Sequence, residues 1–581
     1  MHRGPSIMVH ILRLSALVLC ASHGVLGDSI TVEGPGVKFV GLQNKTSMIN
    51  TFMGIRYAQA PTGNRRWRAP VLVEYNNEVD TPLQLIDGIR PGPMCVQSSP
   101  YWGLEGATAA ARVRKREDNG DESEDCLLLN IQTPDISKYQ RLPVLVYIHG
   151  GGYVAGGQIA STGDSLVGQS NGTMIFVGLQ YRLGPLGFLS GNDVKKDGTA
   201  NAGLLDQRMA LKWIRSNIHI FGGDPNRVTI SGGSAGGGSV TMQMVMYGGS
   251  EEAPFQAAIP GAEFPWWTPL YDNGWQQQQY REFLRAARCS SLKCLRDASL
   301  SRIRSATETA FRTAYHHKDY AFGTFYWGPV VDGHVIPDHP ARQFRNGHFT
   351  KVPVMTYRNF DEGFLFTNFS LASESEVMSD LTSLWHDSDG FFAETVSMLY
   401  PTSLYNRTHL DALTIYPEAR EAGILESPLS DSFVKRSAII GDALVNCPTR
   451  HIARSVVKHG QPAYKLVFDA GYQFHGTTDY YLYSSVTNAD GSNGGDFSFP
   501  GNATLAKIMR GYYISFALNH DPNGDGDKTA KPLWPKYQEE DSEVLWVGYT
   551  DIEGRADPDN SANCQFLLNT RGTNCGLVED W

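Results

Sequence analysis

One short segment of the sequence limits the possible folds more than any other: an apolar run that leads directly into a glycine-rich turn around a serine. Residues 228–230 (Val-Thr-Ile) have the composition of a buried strand, and residues 231–236 (Ser-Gly-Gly-Ser-Ala-Gly) follow without a break. In this context, Gly-x-Ser-x-Gly is typical of a tight strand-to-helix turn that strains the backbone of Ser234 and lifts its Oγ above the sheet edge. Without further motifs, a glycine-rich turn with a solvent-facing serine would be the better interpretation.

A second glycine-rich segment favours the catalytic interpretation. Residues 144–148 are an apolar strand candidate, and residues 149–152 (His-Gly-Gly-Gly) follow them. The unhindered N–H groups of Gly151 and Gly152, together with that of Ala235, would point at the oxyanion that develops during attack on a carbonyl group. His149 itself is expected to be structural, because its side chain is fixed at the strand end beside this loop.

Strands and helices alternate through the rest of the chain. Residues 174–179, 352–357 and 464–468 are further apolar strand candidates, and residues 204–218 have the spacing of a helix with one apolar face. Residues 224–226 (Asp-Pro-Asn) have the composition of a turn. Strands separated by helices predict an α/β fold with a mostly parallel central sheet and helices on both faces.

Seven segments of the chain share the motifs of one enzyme family and occur in the order of that family. They are residues 54–58, 124–130, 149–152, 181–188, 201–207, 217–230 and 328–333. Together they resemble the type-B carboxylesterase, lipase and cholinesterase family of α/β hydrolases. The resemblance implies the α/β-hydrolase fold and one catalytic domain over residues 28–581. The chain departs from the family at Gly233, where many members carry Glu, and altered polarity beside the nucleophile is expected there.

The resemblance also indicates the acid of a catalytic triad. The Asn-x-x-Glu-Gly segment of the family is matched by residues 359–363, which makes Glu362 the candidate. This segment follows the predicted strand 352–357, so the acid would stand at the carboxyl edge of the sheet. Asp361 is the rival, because only one of two adjacent side chains in an extended loop can face the base.

Two His-Gly pairs compete for the role of the base. His459 ends the helical stretch 438–458, where a histidine followed by glycine is ordinary C-terminal capping. His475 lies in a loop after the predicted strand 464–468 and matches the base of the family. The order Ser234, Glu362, His475 is the order seen in this fold.

These residues predict a serine hydrolase that cleaves small-molecule carboxylic esters through an acyl-enzyme, without a metal or other cofactor. A lipase that acts on long acyl chains is one alternative. A non-catalytic binding protein of cholinesterase type is another, although the chain retains all three triad positions and the oxyanion glycines.

Composition and the amino terminus restrict partners and location. With 50 Lys and Arg against 60 Asp and Glu, the net charge is −10 and no long basic tract occurs, so no nucleic-acid partner is expected. The apolar run at residues 11–21 is too short, and too interrupted by Arg13, to span a bilayer. Residues 1–27 are therefore interpreted as a secretory signal peptide, which predicts an extracellular protein with no stable membrane anchor. The sequence does not specify an oligomeric state.

Export is consistent with the sequons and cysteines of the chain. Removal of the leader leaves seven cysteines, with no Cys-x-x-Cys pair for a zinc site. By resemblance, Cys95 pairs with Cys126 and Cys289 with Cys294, whereas Cys564 has either Cys447 or Cys575 as its partner. The predicted glycosylation sites are the five sequon asparagines Asn44, Asn171, Asn368, Asn406 and Asn502.

Overall fold

The structure is a computed structural model of the chain. It describes residues 27–75, 82–103, 122–137, 140–157, 163–262, 274–385, 390–406, 429–471, 473–483, 502–524, 530–548 and 551–569. Residues 1–26 of the predicted signal peptide and Cys575 lie outside these ranges.

Strands begin almost at the first described residue and recur to the last third of the chain. In order, the strands of the described residues are β1 (Asp28–Gly34), β2 (Val37–Gln43), β3 (Asn50–Arg56), β4 (Gln84–Asp87), β5 (Met94–Cys95), β6 (Glu122–Ser123), β7 (Leu128–Thr133), β8 (Leu142–Ile148), β9 (Ile175–Leu179), β10 (Gly223–Gly233), β11 (Ala257–Gly261), β12 (Val354–Asn359), β13 (Ala463–Phe468), β14 (Glu543–Val547) and β15 (Ile552–Ala556).

One mixed sheet of thirteen strands runs through the described residues, beside the small β5–β6 pair. Its centre is parallel, in the order β9-β8-β10-β11-β12-β13-β14. Antiparallel β15 extends one side, and β7, β3, β2 and β1 extend the other. Because parallel strands share one direction, the segments that follow β8, β10, β12 and β13 all leave the sheet at the same edge. The sequence places its candidate catalytic residues in these segments.

Helices connect the strands and cover the sheet. None of the helices in the described part of the chain has the length and apolar composition that crossing a lipid bilayer requires. In chain order, the described α-helices are α1 (Asp164–Gln169), α2 (Gly184–Phe188), α3 (Asn192–Asp197), α4 (Ala202–Asn217), α5 (Ala235–Val245), α6 (Trp275–Ala286), α7 (Leu292–Asp297), α8 (Leu300–His316), α9 (Pro340–Asn346), α10 (Glu374–Trp385), α11 (Phe391–Leu399), α12 (Asp431–Gly441), α13 (Cys447–Lys458), α14 (Thr477–Tyr483), α15 (Ala503–Asn519) and α16 (Ala562–Asn569).

The parallel strands are buried on both faces. Successive side chains of β8 enter different hydrophobic clusters: Val144 and Val146 pack with residues of α4 and α5, whereas Leu145 packs with residues of α14 and α15. This two-sided burial explains why the strands are continuous apolar runs in the sequence. The predicted α/β class with a mostly parallel sheet is confirmed.

Two segments differ from the sequence-based prediction. The predicted turn at residues 224–226 is an irregularity inside β10, since Asp224 accepts the N–H of Asn226 at 3.0 Å and the pairing with β8 resumes at Val228. The predicted helix 438–458 is interrupted by a π-helical turn, Asp442–Asn446, between α12 and α13. Pro448 in the first turn of α13 has no N–H to donate, which favours a break in the regular hydrogen-bond pattern.

Three disulfides lie within the described residues. They join Cys95 to Cys126, Cys289 to Cys294 and Cys447 to Cys564. The third bond decides between the two partners that the sequence left open for Cys564.

The sequon asparagines occupy different local environments. Asn171 is exposed, whereas the side chain of Asn502 accepts the N–H of Leu505 at 2.9 Å and caps α15. Asn44, Asn368 and Asn406 are partly exposed.

Candidate active site

Ser234 forms the turn between β10 and α5. Its backbone angles, φ 58° and ψ −128°, belong to a region that few residues other than glycine adopt. Its N–H donates to the carbonyl of Gly261 at 3.1 Å, and its carbonyl accepts the N–H of Gly238 at 2.9 Å. Ser234 is partly exposed while Gly233 and Ala235 are buried. At this turn the serine is therefore the residue that a substrate can reach.

Close backbone contacts explain the glycines on either side of this serine. A Cβ on Gly232 would lie 2.5 Å from the carbonyl carbon of Gly236, and a Cβ on Gly236 would lie 2.0 Å from the carbonyl oxygen of Ile148. Because the obstacles are backbone atoms of α5 and β8, they cannot move aside without distorting these elements. The turn thus requires the small residues that the sequence pattern indicates.

His475 and Glu362 are joined by a hydrogen bond. Nδ1 of His475 lies 2.5 Å from Oε2 of the buried Glu362. Oε1 of Glu362 accepts the backbone N–H of Asn359 at 2.5 Å and its side-chain amide at 2.9 Å, so three bonds fix this carboxylate. A proton held on Nδ1 by the carboxylate leaves Nε2 of His475 as the basic nitrogen. Among the described residues this buried Nε2 has no hydrogen-bond partner, and no hydrogen bond joins it to Ser234.

Asp361 and His459, the rival candidates for acid and base, form hydrogen bonds with other residues. Asp361 accepts a hydrogen bond from Oγ of Ser437 at 3.1 Å, and its backbone N–H donates to Gln473 at 2.9 Å. The ring of His459 lies at the end of α13, where Nε2 is 3.2 Å from the carbonyl oxygen of Arg345. Glu362 and His475 are thus the acid and base candidates that the structure brings together.

The loop after β8 packs directly on the nucleophile turn. A Cβ on Gly150 would lie 3.0 Å from the Cβ of Ser234. Gly151 and Gly152 have φ angles of 106° and 62°, which favour glycine, and neither N–H has an acceptor among the described residues. Ala235 is the first residue of α5, so its N–H has no acceptor within that helix. The three predicted oxyanion donors therefore lie on the two segments that meet at Ser234.

His149 has the structural role expected from the sequence. Its Nδ1 lies 2.8 Å from the carbonyl oxygen of Gly150, and its ring stacks on that of Tyr181 with a centroid distance of 4.5 Å. Burial lowers the pKa of His149 to about 4. The imidazole is therefore neutral at ordinary pH and fixes the path of the glycine loop.

An aromatic wall borders this glycine loop. A Cβ on Gly152 would lie 2.2 Å from Cε1 of Phe325, so this ring lies against the loop. The ring of Trp102 packs against Phe322 and Phe325 with centroid distances of 5.1 and 5.8 Å. Phe325 also lines a cleft. Other walls of the cleft are formed by Trp275, Tyr320, Tyr326 and Leu384.

Sequence reasoning missed Asp479, which lies on α14 one helical turn after His475. A Cβ on Gly233 would lie 2.1 Å from Oδ2 of Asp479. The hydroxyl of Tyr357 donates to Oδ1 of the same carboxylate, and the hydroxyl of Tyr147 lies 3.4 Å from Oδ2. The one sequence signal for Asp479 was Gly233, where many family members carry Glu. The carboxylate of Asp479 fills the space that a side chain at position 233 would need.

One further group of side chains has the donor types of a metal site. Ligand atoms of Glu282, His317 and Asp319 lie within 4.8 Å of one another. Glu282 already accepts hydrogen bonds from Tyr326 at 2.7 Å and from Gln278 at 3.1 Å. Burial, reinforced by the charge of Glu282, raises the pKa of Asp319 to about 6. Asp319 also lines the cleft beside Phe325.

Comparisons with known proteins identify the family of the chain. A family model described as "Carboxylesterase family" matches residues 31–567. Lipase 2 of Geotrichum candidum is 31% identical over 547 residues, which cover 88% of this chain and 90% of that protein. A secreted triacylglycerol lipase of Gibberella zeae is 29% identical and covers 89% of this chain and 86% of its own length. The solved structure of Aspergillus niger EstA is similar with a TM-score of 0.74 at 25% identity, over 93% of this chain and 98% of that one. With a match that spans nearly all of the sheet and the site at its edge, the chain belongs to the carboxylesterase family and is a carboxylic ester hydrolase of the α/β-hydrolase fold.

Proposed function

We propose that this hydrolase acts through a Ser234–His475–Glu362 triad and a covalent acyl-enzyme. The observation that carries the proposal is the 2.5 Å bond between His475 and Glu362. This bond leaves Nε2 of the histidine as the base, at the same sheet edge as the strained serine turn. Catalytic hydrogen bonds to a nucleophile are often long before substrate binds. The lack of a hydrogen bond between Ser234 and His475 is therefore compatible with this role.

Acylation begins when Nε2 of His475 takes the hydroxyl proton of Ser234 while Oγ bonds to the ester carbonyl carbon. The tetrahedral intermediate then breaks its bond to the alkoxy group, which takes the proton from His475 and leaves as an alcohol. Water next gives a proton to His475 and adds to the acyl carbon. Cleavage of the bond between the acyl carbon and Oγ releases the carboxylic acid and returns the proton to Ser234.

Stabilisation of the oxyanion is assigned to the backbone N–H groups of Gly151, Gly152 and Ala235. The support is that their two segments meet at Ser234 and that the glycine N–H groups have no acceptor among the described residues. One such donor contributes about 3 kcal/mol of transition-state stabilisation.

Substitution of the nucleophile tests the triad directly. Ser234→Ala is expected to lower kcat for a neutral aryl ester by at least about 1,000-fold and to abolish labelling by a fluorophosphonate probe. Ser231→Ala is the matched control, because its buried Oγ donates to the carbonyl of Val146 on the neighbouring strand. Unchanged turnover in the Ser234 variant would refute the triad, and an unlabelled wild-type protein without esterase activity would favour a binding role.

A lipase is the second candidate, because two of the relatives described above carry that name. The aromatic wall of Trp102, Phe322 and Phe325 provides apolar surface beside the proposed oxyanion donors. A panel of esters of increasing acyl length, measured below and above the solubility limit of each ester, distinguishes the candidates. A rate that rises sharply once the long-chain ester separates from solution supports the lipase, and a preference for short soluble esters supports the carboxylesterase.

Secretion is proposed from the leader at residues 1–27, three disulfides among the described residues and a relative that is named as secreted. Expression of the full chain in a eukaryotic secretory host tests this. The medium is expected to contain the enzyme with an amino terminus near Asp28 and with N-linked glycan removable by an endoglycosidase. Retention of the uncleaved chain inside the cell would contradict secretion.

A further inference from the structure

The carboxylate of Asp479 is built into the site at three points. Its Oδ2 takes the space that a Cβ on Gly233 would need, directly before the nucleophile. Its Oδ1 accepts the hydroxyl of Tyr357 on β12, the strand that leads to Glu362. Asp479 also follows His475 by one helical turn, so one carboxylate connects the nucleophile turn, the acid strand and the base segment.

We propose that Asp479 is a positioning residue of this hydrolase, which holds the segment of His475 against the nucleophile turn and favours the protonated imidazole during both proton transfers. The inference rests on the triad proposed above. It adds a second acidic group, with a function distinct from that of Glu362.

The surroundings of Asp479 are suited to keep a charge in a fixed place. Among the described residues, the titratable groups that interact with Asp479 are His475, Glu362 and four tyrosines. The tyrosines come from β8, β12, α14 and α15. The four are Tyr147, Tyr357, Tyr483 and Tyr513. Burial, together with the negative charge of Asp479, raises the pKa of every one of these tyrosines. Their hydroxyls therefore stay protonated, and those of Tyr357 and Tyr147 lie within hydrogen-bond distance of the carboxylate.

The charge of Asp479 is coupled to that of His475. The pKa of this carboxyl is raised above its ordinary value, because burial outweighs the hydroxyl of Tyr357 and a positive His475, which both lower it. An ionised Asp479 and a protonated His475 therefore attract each other. Among the described residues no hydrogen bond joins the two side chains, and Nδ1 of His475 is already bonded to Glu362. The influence of Asp479 on the base is thus electrostatic.

Removal of the charge alone is the first test. Asp479→Asn keeps an acceptor for the tyrosine hydroxyls, and it is expected to lower kcat about 10-fold with KM within about twofold. The control is Asp193→Asn on α3, because this carboxylate also accepts a tyrosine hydroxyl, that of Tyr280 at 2.7 Å, but lies in none of the strands or loops of the triad. A kcat equal to that of wild type in the Asp479 variant, or a loss of the same size in the control, would overturn the electrostatic function.

A double substitution tests the contact from the other side. Gly233→Ala places a methyl group on the carboxylate and is expected to lower kcat at least about 10-fold. Gly233→Ala/Asp479→Ala removes the atoms that the methyl group would meet, so the double variant should be no slower than Asp479→Ala alone. Losses that simply multiply would show that the two positions act independently and would contradict the positioning role. Because the double variant relieves the clash, it remains informative if Gly233→Ala alone does not fold.

A probe experiment separates this inference from the triad on which it depends. Wild type and Asp479→Asn are both expected to take up one fluorophosphonate group at Ser234, with the variant reacting more slowly. Failure of the wild-type protein to be labelled at Ser234 would refute the triad itself. Labelling of both proteins at equal rates would refute only the function of Asp479.

Discussion

Around Ser234, the positions without side chains are as important as the triad. The Cβ that Gly236 lacks would lie 2.0 Å from the carbonyl oxygen of Ile148. We expect Gly236→Ala to lower kcat/KM at least about 100-fold, because a displacement of about 1 Å at the nucleophile is enough for such a loss. Gly168→Ala in α1 is the control, since its nearest obstacle is 4.0 Å away and alanine is the better helix former. Full activity in the Gly236 variant, measured with the same ester, would contradict the tight turn.

Two adjacent carboxylates provide the second prediction at this scale. Glu362→Gln removes the charge that orients and stabilises the protonated His475, so kcat is expected to fall at least about 100-fold with little change in KM. Asp361→Asn alters a neighbour that bonds to Ser437 instead, and most of the activity should remain. The opposite ranking of the two variants in steady-state kinetics would transfer the acid role to Asp361.

The residue scale also shows what a sequence can predict. Ser234 stands in a local pattern of strand and glycines, and Glu362 and His475 lie in short segments that resemble motifs of the family, which is why all three could be named without a structure. Asp479 stands in no such pattern, because its importance comes from a contact with Gly233, which is distant in the sequence. Only the absence of a side chain at Gly233 gave an indirect signal.

At the scale of elements, a buried ion cluster fastens β12 and β13 to the segment after β15. Lys465 of β13 lies 2.5 Å from both Asp557 and Asp559, and Arg358 of β12 binds Asp559 at 2.7 Å. Removal of one partner leaves a buried charge without its counter-ion, which costs about 3 to 5 kcal/mol. We expect Asp559→Asn to lower the free energy of unfolding at pH 7 by about this amount, as measured with urea. Asp551→Asn, in the exposed pair with Arg555, should cost less than about 1 kcal/mol.

The same cluster predicts a dependence of stability on pH. Burial by itself would raise the pKa of Asp559, but the charges of Arg358 and Lys465 bring it below the ordinary value. A carboxyl with a lowered folded-state pKa stabilises the fold above its unfolded pKa of about 4 and loses this effect as the pH falls through the folded value. The difference in unfolding free energy between wild type and Asp559→Asn should therefore shrink below about pH 4. A difference that stays constant from pH 7 to 3 would contradict the assignment.

Strands that are buried on both faces were easy to predict, and other elements were not. The runs that became β8, β9, β12 and β13 are continuous and apolar, so their ends agree with prediction to within two residues. The outer strands β1 to β4 are partly exposed and lack such runs. The π-helical turn before α13 depends on the placement of Pro448 within a longer helical pattern, which periodicity alone does not resolve.

At the scale of the whole molecule, the Cys447–Cys564 disulfide closes the longest loop of the three disulfides in the described residues. It closes 117 residues and fixes α16 to the start of α13, whereas Cys289–Cys294 closes only 5. On the chain-entropy model these links stabilise the fold by about 5 and about 2 kcal/mol. Thermal unfolding of Cys447→Ser/Cys564→Ser is accordingly expected at a clearly lower temperature than that of Cys289→Ser/Cys294→Ser. Equal Tm values would show that strain or residual structure cancels the entropic difference.

The order of the strands in the sheet has a consequence for the time at which the enzyme becomes active. Strands β10, β12 and β13 carry or precede the nucleophile, acid and base of the proposed triad, and they are separated by long stretches of chain. A ribosome therefore completes the nucleophile turn long before the base exists, and β14, which flanks the base strand, is made later still. Between the synthesis of residue 234 and that of residue 475, the nascent chain has the nucleophile but no base, so it cannot cleave esters through this triad.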